Sequence, residues 1–421
     1  MEQPFLASRN PPLRGVLLVL ALAIVTNGLV LMSSTAQLDG DGPFYITIAR
    51  NLAAGKGYTL GSFWPGQPTM GRAPVWPALL TIPAWLAPRV DDATLVRSTA
   101  ICLNLANALL LFGISWALTR NLKISVAAGA GYAVYPVAVT LAVGGHSEIP
   151  YVFVAALGTL LALRGGRMLY AGALFLGLSA LVRSSFILLP VMAGLAALPK
   201  AGNWRAARRF VALAALYWLP AAVWIARNYA VSGEFPVFST IEGETLYGAN
   251  NDYVASNLAV WGYWVFPNEI PGETAKKDLA ATMTELQLDR YYHRKAIQFV
   301  RQHWFALPRL EVGKVIRGFV PVPWVPRWDS YCVFFFRAVL YAAIVLHVRT
   351  FLATNPLFRI LVTGMLLVVV VTALIYYGTY RFTFCAEVFL LPTVAEGVIR
   401  RATARESHGW LFGSFLADAE Q

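Results

Sequence analysis

Charge is scarce in this chain of 421 residues. Asp, Glu, Lys and Arg make up 13% of it, against about 25% in a soluble domain, while hydrophobic residues make up 57%. That balance excludes a soluble fold, because apolar runs of roughly 20 residues, the length that crosses a bilayer, recur along the whole chain. Cysteine is equally sparse. Cys102, Cys332 and Cys385 lie far apart in apolar runs, with no Cys-x-x-Cys pair and no disulfide framework, and read as buried, inert thiols. The five histidines show no zinc-ligand spacing. A P-loop and a Rossmann fingerprint are both missing, which argues against a nucleotide-sugar donor held by a cytosolic domain. No heptad and no low-complexity tract breaks the pattern.

The charge that is present is unbalanced, at a net +12. In a membrane protein Lys and Arg gather in cytoplasmic loops and anionic lipid is their partner, so no nucleic-acid partner is expected. Apolar runs at 15–32, 99–118, 124–143, 149–163, 168–182, 186–198, 210–226, 331–348, 360–377 and 382–399 read as membrane helices, with 168–198 readable as two short helices or one broken one. The first run is longer than the roughly 7–15 apolar residues of a cleavable signal peptide. If about ten spans (9–13 at the outside) alternate across the bilayer, the basic clusters Arg120 and Lys123, Arg164 and Arg167, Lys200 to Arg209, Arg349 and Arg359, and Arg400 and Arg401 all share one side. That side is the cytoplasm by the positive-inside rule, with both termini there. The opposite side receives two long segments, 33–98 and 228–330, rich in Gly, Pro, Trp and Tyr, which suit interfacial helices and ordered loops. The chain thus divides into a cytoplasmic start at 1–14, a transmembrane module at 15–227 that includes the first outer loop, an outer segment at 228–330, C-terminal membrane helices at 331–400, and a cytoplasmic tail at 401–421. Trp410, Leu411 and Phe412 offer that tail an interfacial contact.

The first outer loop holds the densest polar pattern. Pro43 suits a helix start and Gly55 a helix end, and Phe44, Ile48 and Leu52 recur at four-residue spacing, so a short amphipathic helix on the membrane surface is expected there. Asp41 would stand just before its N-terminus, where the helix dipole keeps a carboxylate ionised and able to take a proton from an attacking hydroxyl. Asp39 and Asp41 are each followed by Gly, so both also read as plain turn residues. Further on, Arg72 stands beside a Pro-rich turn, suited either to snorkelling or to a phosphodiester. His146 and Glu148 form a polar pair at the mouth of a span, which also reads as a helix end facing water. Tyr247, Tyr253, Trp261, Tyr263 and Trp264 read equally as sugar-stacking aromatics or as an interfacial belt.

These residues carry a family resemblance. Asp41-x-x-x-Tyr45, then Ala49-Arg-Asn-Leu-x-x-Gly55-Lys56-Gly57-Tyr58, then Arg72-x-Pro74-x-x-Pro77 resembles the opening of GT-C fold glycosyltransferases, in the group of protein O-mannosyltransferases, the lipid A aminoarabinose transferase and bacterial polysaccharide-modifying relatives. Ser147-Glu148, Leu181-Val-Arg183, Trp224-Ile-Ala-Arg227-Asn-Tyr229, Tyr247-Gly-Ala-Asn250-Asn251 and Tyr380-Arg381-Phe382 extend it from about residue 15 to 399. The resemblance implies an all-α, GT-C type bundle in a bacterial inner membrane. It implies transfer of a sugar from undecaprenyl phosphate to an envelope glycan, lipid or protein on the extracytoplasmic face. Within it Asp41 matches the catalytic acidic position, with Asp39 as alternate. Arg72, Arg227 and Arg381 become the candidates for gripping the donor phosphate, and Glu148 with His146 for acceptor or cation. Tyr45, Lys56, Tyr247 and Asn250 become candidates for positioning sugar or lipid. Gly42 stands where protein mannosyltransferases carry Glu after Asp, which counts against a protein acceptor. The segment Met70-Gly-Arg72 lacks the acidic residue that aminoarabinose transferases place before their basic one, which counts against lipid A. No cofactor is fixed, and a divalent cation stays open. A secondary transporter and a non-catalytic assembly scaffold are the rival readings; Arg183, Arg337, Glu387 and Glu396 are the charges within spans that a transporter would use.

Overall fold

The computed structural model describes residues 11–33, 38, 40–61, 63–197, 204–235, 238–320 and 328–417, with the side chains of 205, 328, 329 and 405–417 excepted. Asp39 and the apolar trio Trp410, Leu411 and Phe412 therefore fall outside the described residues or side chains. All regular structure among the described residues is helical, apart from a single bridge between Thr59 and Pro68.

In chain order the first half runs α1 Leu13–Met32, α2 Gly42–Ala53, α3 Val75–Leu86, α4 Asp92–Thr119, α5 Leu122–Ala133, α6 Pro136–Gly144, α7 Glu148–Leu163 and α8 Gly166–Ala180. A 3-10 turn at Ser184–Leu188 leads into α9 Leu189–Ala197 and then α10 Trp204–Ser232. The second half runs α11 Glu242–Ala249, α12 Asp252–Ser256, α13 Lys276–Ala280, α14 Glu285–Gln302, α15 Leu307–Phe319, α16 Trp328–Leu346, α17 Val348–Ala353, α18 Pro356–Ile375, α19 Tyr380–Glu387 and α20 Leu391–Ala417. The starts are chemically marked: Asn121, Asn251, Thr284, Asn355 and Thr379 each accept a hydrogen bond from a backbone N–H of the first turn, satisfying donors that the helix itself cannot.

All ten apolar runs are helical, but they are not ten equal crossings. Among the described residues five helices are long and apolar enough to cross a membrane, and six if the bent pair α5–α6 is one span. The protein is a multi-pass helical membrane protein. The run at 124–143 bends by 49° where Pro136 interrupts the ladder. The 168–198 run is two helices with a 3-10 turn between them. Within 33–98, expected as the first outer segment, the described residues include α2, α3 and the start of α4, which begins at Asp92 rather than at 99. The presumed tail continues α20 to Ala417.

Packing within the bundle relies on small residues, as expected where lipid supplies no hydrophobic drive between helices. A Cβ on Gly172 of α8 would stand 2.7 Å from the Gly158 carbonyl oxygen of α7, and one on Gly177 would stand 2.1 Å from the Tyr217 carbonyl oxygen of α10. A large core draws on α1 to α8 and on α18 to α20. A smaller second core, with Tyr247, Val265, Leu288, Tyr292, Phe299 and Leu310, belongs to the 238–320 segment. It is hooked to the bundle by Lys314, wholly buried, whose Nζ donates to Asn250 Oδ1 at 2.9 Å, Glu311 Oε1 at 2.8 Å and the Leu374 carbonyl at 2.9 Å. Beside it the 376–379 turn touches α15 directly: a Cβ at Gly378 would lie 1.8 Å from the Lys314 carbonyl oxygen. Gly378→Ala is therefore expected to lower stability by about 1–3 kcal/mol, the usual range for overpacking, read as an earlier thermal unfolding transition in detergent.

Candidate active site

The site forms where three chain turns meet. The first is the start of α2. Asp41 is its N-cap residue and Tyr45 follows one turn on, buried. The buried face of α2 is Tyr45, Ile46, Ile48 and Ala49, packed on α3 and α4, rather than the Phe44–Ile48–Leu52 stripe expected from spacing. Phe44 instead lies under the Arg72 guanidinium, 4.7 Å from the ring centroid.

The second turn joins α6 to α7. Gly145 adopts φ +73°, which glycine takes without strain, and a Cβ there would sit 2.3 Å from Val96. The reversal presents His146, Ser147 and then Glu148 on the first turn of α7, where the helix dipole favours negative charge. The third turn is the start of α19, which Thr379 caps from its hydroxyl and which carries Arg381.

At this junction Asp41 and Glu148 share a set of guanidiniums. Arg72 Nη2 lies 3.2 Å from Asp41 Oδ1 and Arg381 Nη2 lies 3.5 Å from Asp41 Oδ2. Arg381 Nε also donates to Glu148 Oε1 at 2.7 Å, and its Nη2 to Oε2 at 3.3 Å. Arg183 Nη1 meets Glu148 Oε1 at 2.7 Å and donates to the Ser147 hydroxyl at 3.2 Å. Arg381 thus bridges two carboxylates. Two carboxylates against three guanidiniums leave the cluster with one net positive charge. Burial pushes the Asp41 carboxyl up, but Arg72 and Arg381 more than offset it and hold the group below the ordinary carboxylate range.

The two carboxylates are not equivalent. The Asp41 side chain is 35% exposed and the Glu148 side chain 0%. Glu148, expected to position an acceptor or hold a cation, is sealed and spends its oxygens on Arg183 and Arg381, so a water-facing helix end does not describe it. His146 is buried beside Gly40, and both carboxylates feel it. Among the described residues no group of three or more His, Cys, Asp or Glu could hold a metal ion.

The other expected residues divide. Arg227 is engaged with the loop that carries Arg72: its Nη1 donates to the Thr69 carbonyl at 2.8 Å, and its guanidinium lies over the rings of Tyr58 and Trp224. Glu285 of α14 grips the same loop, accepting from the Thr69 hydroxyl at 2.9 Å and the Met70 N–H at 3.2 Å. Lys56 is exposed at the end of α2 and joins no ion pair of the cluster. Tyr247 and Asn250 belong to the second core and its hook. Arg183, set apart at first as a charge a transporter could use, is a full member of the cluster; its Leu-Val-Arg motif was the signal. Tyr377 was not foreseen. It links Tyr263 (5.6 Å) and Trp264 (6.2 Å) to Phe382 (4.8 Å), over whose ring Arg183 lies, so an aromatic row runs from the 238–320 segment to the cluster.

Two more carboxylates escaped the sequence reading because nothing about their spacing marks them. Burial, then the neighbouring Asp289, pushes Glu242 up to about 7, and burial pushes Asp289 up to about 6. Between the free-Glu value of about 4.3 and about pH 7, the folded protein holds a proton on Glu242 that the unfolded chain has lost. Stability therefore declines as pH rises through that window. Glu242→Gln is expected to match the parent near pH 4.5 and to melt at a higher temperature near pH 8, as thermal scans across that range would show.

No family model matches this sequence, and no curated protein matches it. Among solved structures the chain is similar to ArnT from Cupriavidus metallidurans bound to undecaprenyl phosphate, with 13% identity and a TM-score of 0.45 over 92% of this chain and 78% of that one.

Proposed function

We propose that this protein is a GT-C type membrane glycosyltransferase that moves a sugar from a polyprenyl-phosphate carrier to a hydroxyl of an envelope glycan, lipid or protein on the extracytoplasmic face. The observation that carries the reading is the meeting of a half-open carboxylate, Asp41, with the guanidiniums of Arg72 and Arg381. As the bond between the anomeric carbon and the carrier phosphate breaks, negative charge grows on the phosphate oxygens. Fixed guanidiniums stabilise that charge more in the transition state than in the ground state, and the planar fork of Arg suits two phosphate oxygens at once. Arg72 Nε is buried with no hydrogen-bond partner, a donor free for such an oxygen. Asp41 takes the proton of the acceptor hydroxyl as that oxygen bonds to the anomeric carbon from the side opposite the phosphate, so the anomeric configuration inverts. Glu148 and Arg183 keep Arg381 aimed, and Arg227 and Glu285 keep the Arg72 loop in place. Tyr377 and its aromatic neighbours offer faces on which a sugar ring can stack.

The purified protein in proteoliposomes, given a polyprenyl-phosphate sugar with a labelled sugar and an extract of envelope glycans and lipids, tests the reading. Label is expected to leave the carrier for an acceptor. Label that stays on the carrier, or that crosses the bilayer unchanged, would sink the proposal. The rate profile supplies a second check. Because its guanidinium neighbours hold Asp41 below the ordinary range, the base stays ionised, and transfer is expected to fail only below about pH 4, the value near which a free Asp titrates.

A further inference from the structure

One buried ion pair is not used by the chemistry above. Arg337 of α16 is 2% exposed and Glu387, the last residue of α19, is also 2% exposed. Arg337 Nε stands 3.5 Å from Glu387 Oε1. Arg337 Nη2 donates to the Gly318 carbonyl at the end of α15 at 2.8 Å and to the Thr383 hydroxyl of α19 at 2.9 Å, and it also bonds the Tyr341 hydroxyl. The Tyr341 hydroxyl donates to Glu387 Oε2 at 2.7 Å, and that of Tyr135, between α5 and α6, donates to Glu387 Oε1. A single guanidinium thus ties α15, α16 and α19 together.

The face of α19 that it holds is defined by spacing. Thr383 and Glu387 are four residues apart and so lie on one side of the helix, while Arg381 and Cys385 lie together on another. Arg381 reaches Glu148 and Asp41, and the Cys385 thiol beneath it faces the Arg381 carbonyl at 3.6 Å. Pinning the first face fixes where the second points. A buried ion pair is a poor source of stability compared with apolar residues of the same volume, yet removing one partner is costly. Its presence in an apolar bundle calls for a role in geometry.

We propose that Arg337 and Glu387 are a positioning pair that seats α19 and thereby sets the reach of Arg381 between Glu148 and Asp41. The inference rests on the transferase reading for its kinetic part alone. Clamping the end of α15 by the same guanidinium couples the 238–320 segment to the helix that carries Arg381.

The test is the double variant Arg337→Met/Glu387→Met in a Cys102→Ser/Cys332→Ser background, where Cys385, buried in the parent, reports the seating of α19. The double variant is expected to accumulate to the parental level and to label with N-ethylmaleimide faster than the parent. Its kcat is expected to fall by about 10²-fold, the effect of a 1 Å misplacement. The acid limb is expected to move up, because Asp41, which faces Arg72, Arg381, Glu148 and His146, loses part of the hold of Arg381. A double variant with parental labelling and a parental acid limb overturns the proposal. If that variant does not accumulate, Arg337→Lys carries the same test, since an ammonium keeps the charge and loses the fork that spans Gly318 and Thr383. Should the transferase reading itself fail, the parent shows no transfer while the Cys385 labelling still decides whether the pair seats α19.

Discussion

Asp41→Asn is expected to lower sugar transfer by about 10²–10⁴-fold, the range a positioned general base supplies, with the protein still folded and present in the membrane. The substitution keeps the shape of the side chain and a carbonyl oxygen that Arg72 or Arg381 can still donate to, so packing changes little. What goes is the charge that accepts the proton. The remaining ion pairs are untouched, because Arg381 keeps both of its hydrogen bonds to Glu148 and the Asp41 side chain is 35% exposed, so water reaches the vacated guanidinium edges. A pure structural role for Asp41 predicts the reverse, namely a loss of folded protein and a parental rate per molecule that survives. Asp39→Asn, made in parallel, separates the two carboxylates of the Asp-Gly-Asp-Gly run: full activity in that variant assigns the base to Asp41, and loss confined to it moves the assignment to Asp39. Initial rates per mole of detergent-extracted, monodisperse protein decide between these.

The opening motif of the sequence was legible as a helix with a start and a stop, and the structure shows what several of its residues hold. Arg50 Nε pairs with Asp92 Oδ1 at 2.9 Å, and its Nη1 donates to the carbonyls of Ala84 in α3 at 3.4 Å and of Pro88 in the α3–α4 turn at 3.2 Å. Asn51 donates to the Thr59 carbonyl at 2.9 Å, Gly55 and Gly57 take positive φ, and the Tyr58 hydroxyl donates to the Arg72 carbonyl at 2.9 Å. Local chemistry of this kind is written in short spacings, so it can be read in sequence. The partnership of Asp41 with Arg381, 340 residues apart, cannot be read from spacing; it depends on how α19 packs on α7. The same holds for Arg183, whose motif was visible but whose partner, Glu148, is chosen by the packing of α7 on α8. Arg227 is a different case. It stands as a candidate for the donor phosphate, and the fold adds a contact that spacing does not show, the hydrogen bond from its Nη1 to the Thr69 carbonyl. Crossing number is less legible for a related reason: apolar content marks a helix that is buried in lipid or in protein, and α7 and α9 satisfy it at 16 and 9 residues, where a full span takes roughly 20.

The second large effect is expected at Glu148, on stability as much as on rate. Glu148→Ala leaves Arg183 without its carboxylate and Arg381 with Asp41 alone, at 3.5 Å; the two guanidinium side chains are 11% and 23% exposed, too little for water to replace the lost carboxylate. Removing one partner of a buried pair costs about 3–5 kcal/mol, a large share of the roughly 5–15 kcal/mol that holds a domain folded. Glu148→Ala is therefore expected to fall sharply in yield and to unfold at a markedly lower temperature. Glu148→Gln, which keeps an acceptor oxygen but not the charge, should fall between the alanine variant and the parent. The decisive variant is the pair Glu148→Gln/Arg183→Met. Removing one charge of each sign restores the net charge of the cluster to one positive, so stability should recover toward the parent, and the non-additivity of the two changes measures the coupling. Transfer should not recover with it, because Arg381 then has a neutral oxygen where a carboxylate had fixed its plane, and the guanidinium that must meet the leaving phosphate is free to turn. Additive losses in the double variant, or a Glu148→Ala protein that melts with the parent, would show that Glu148 neither neutralises nor aims these guanidiniums.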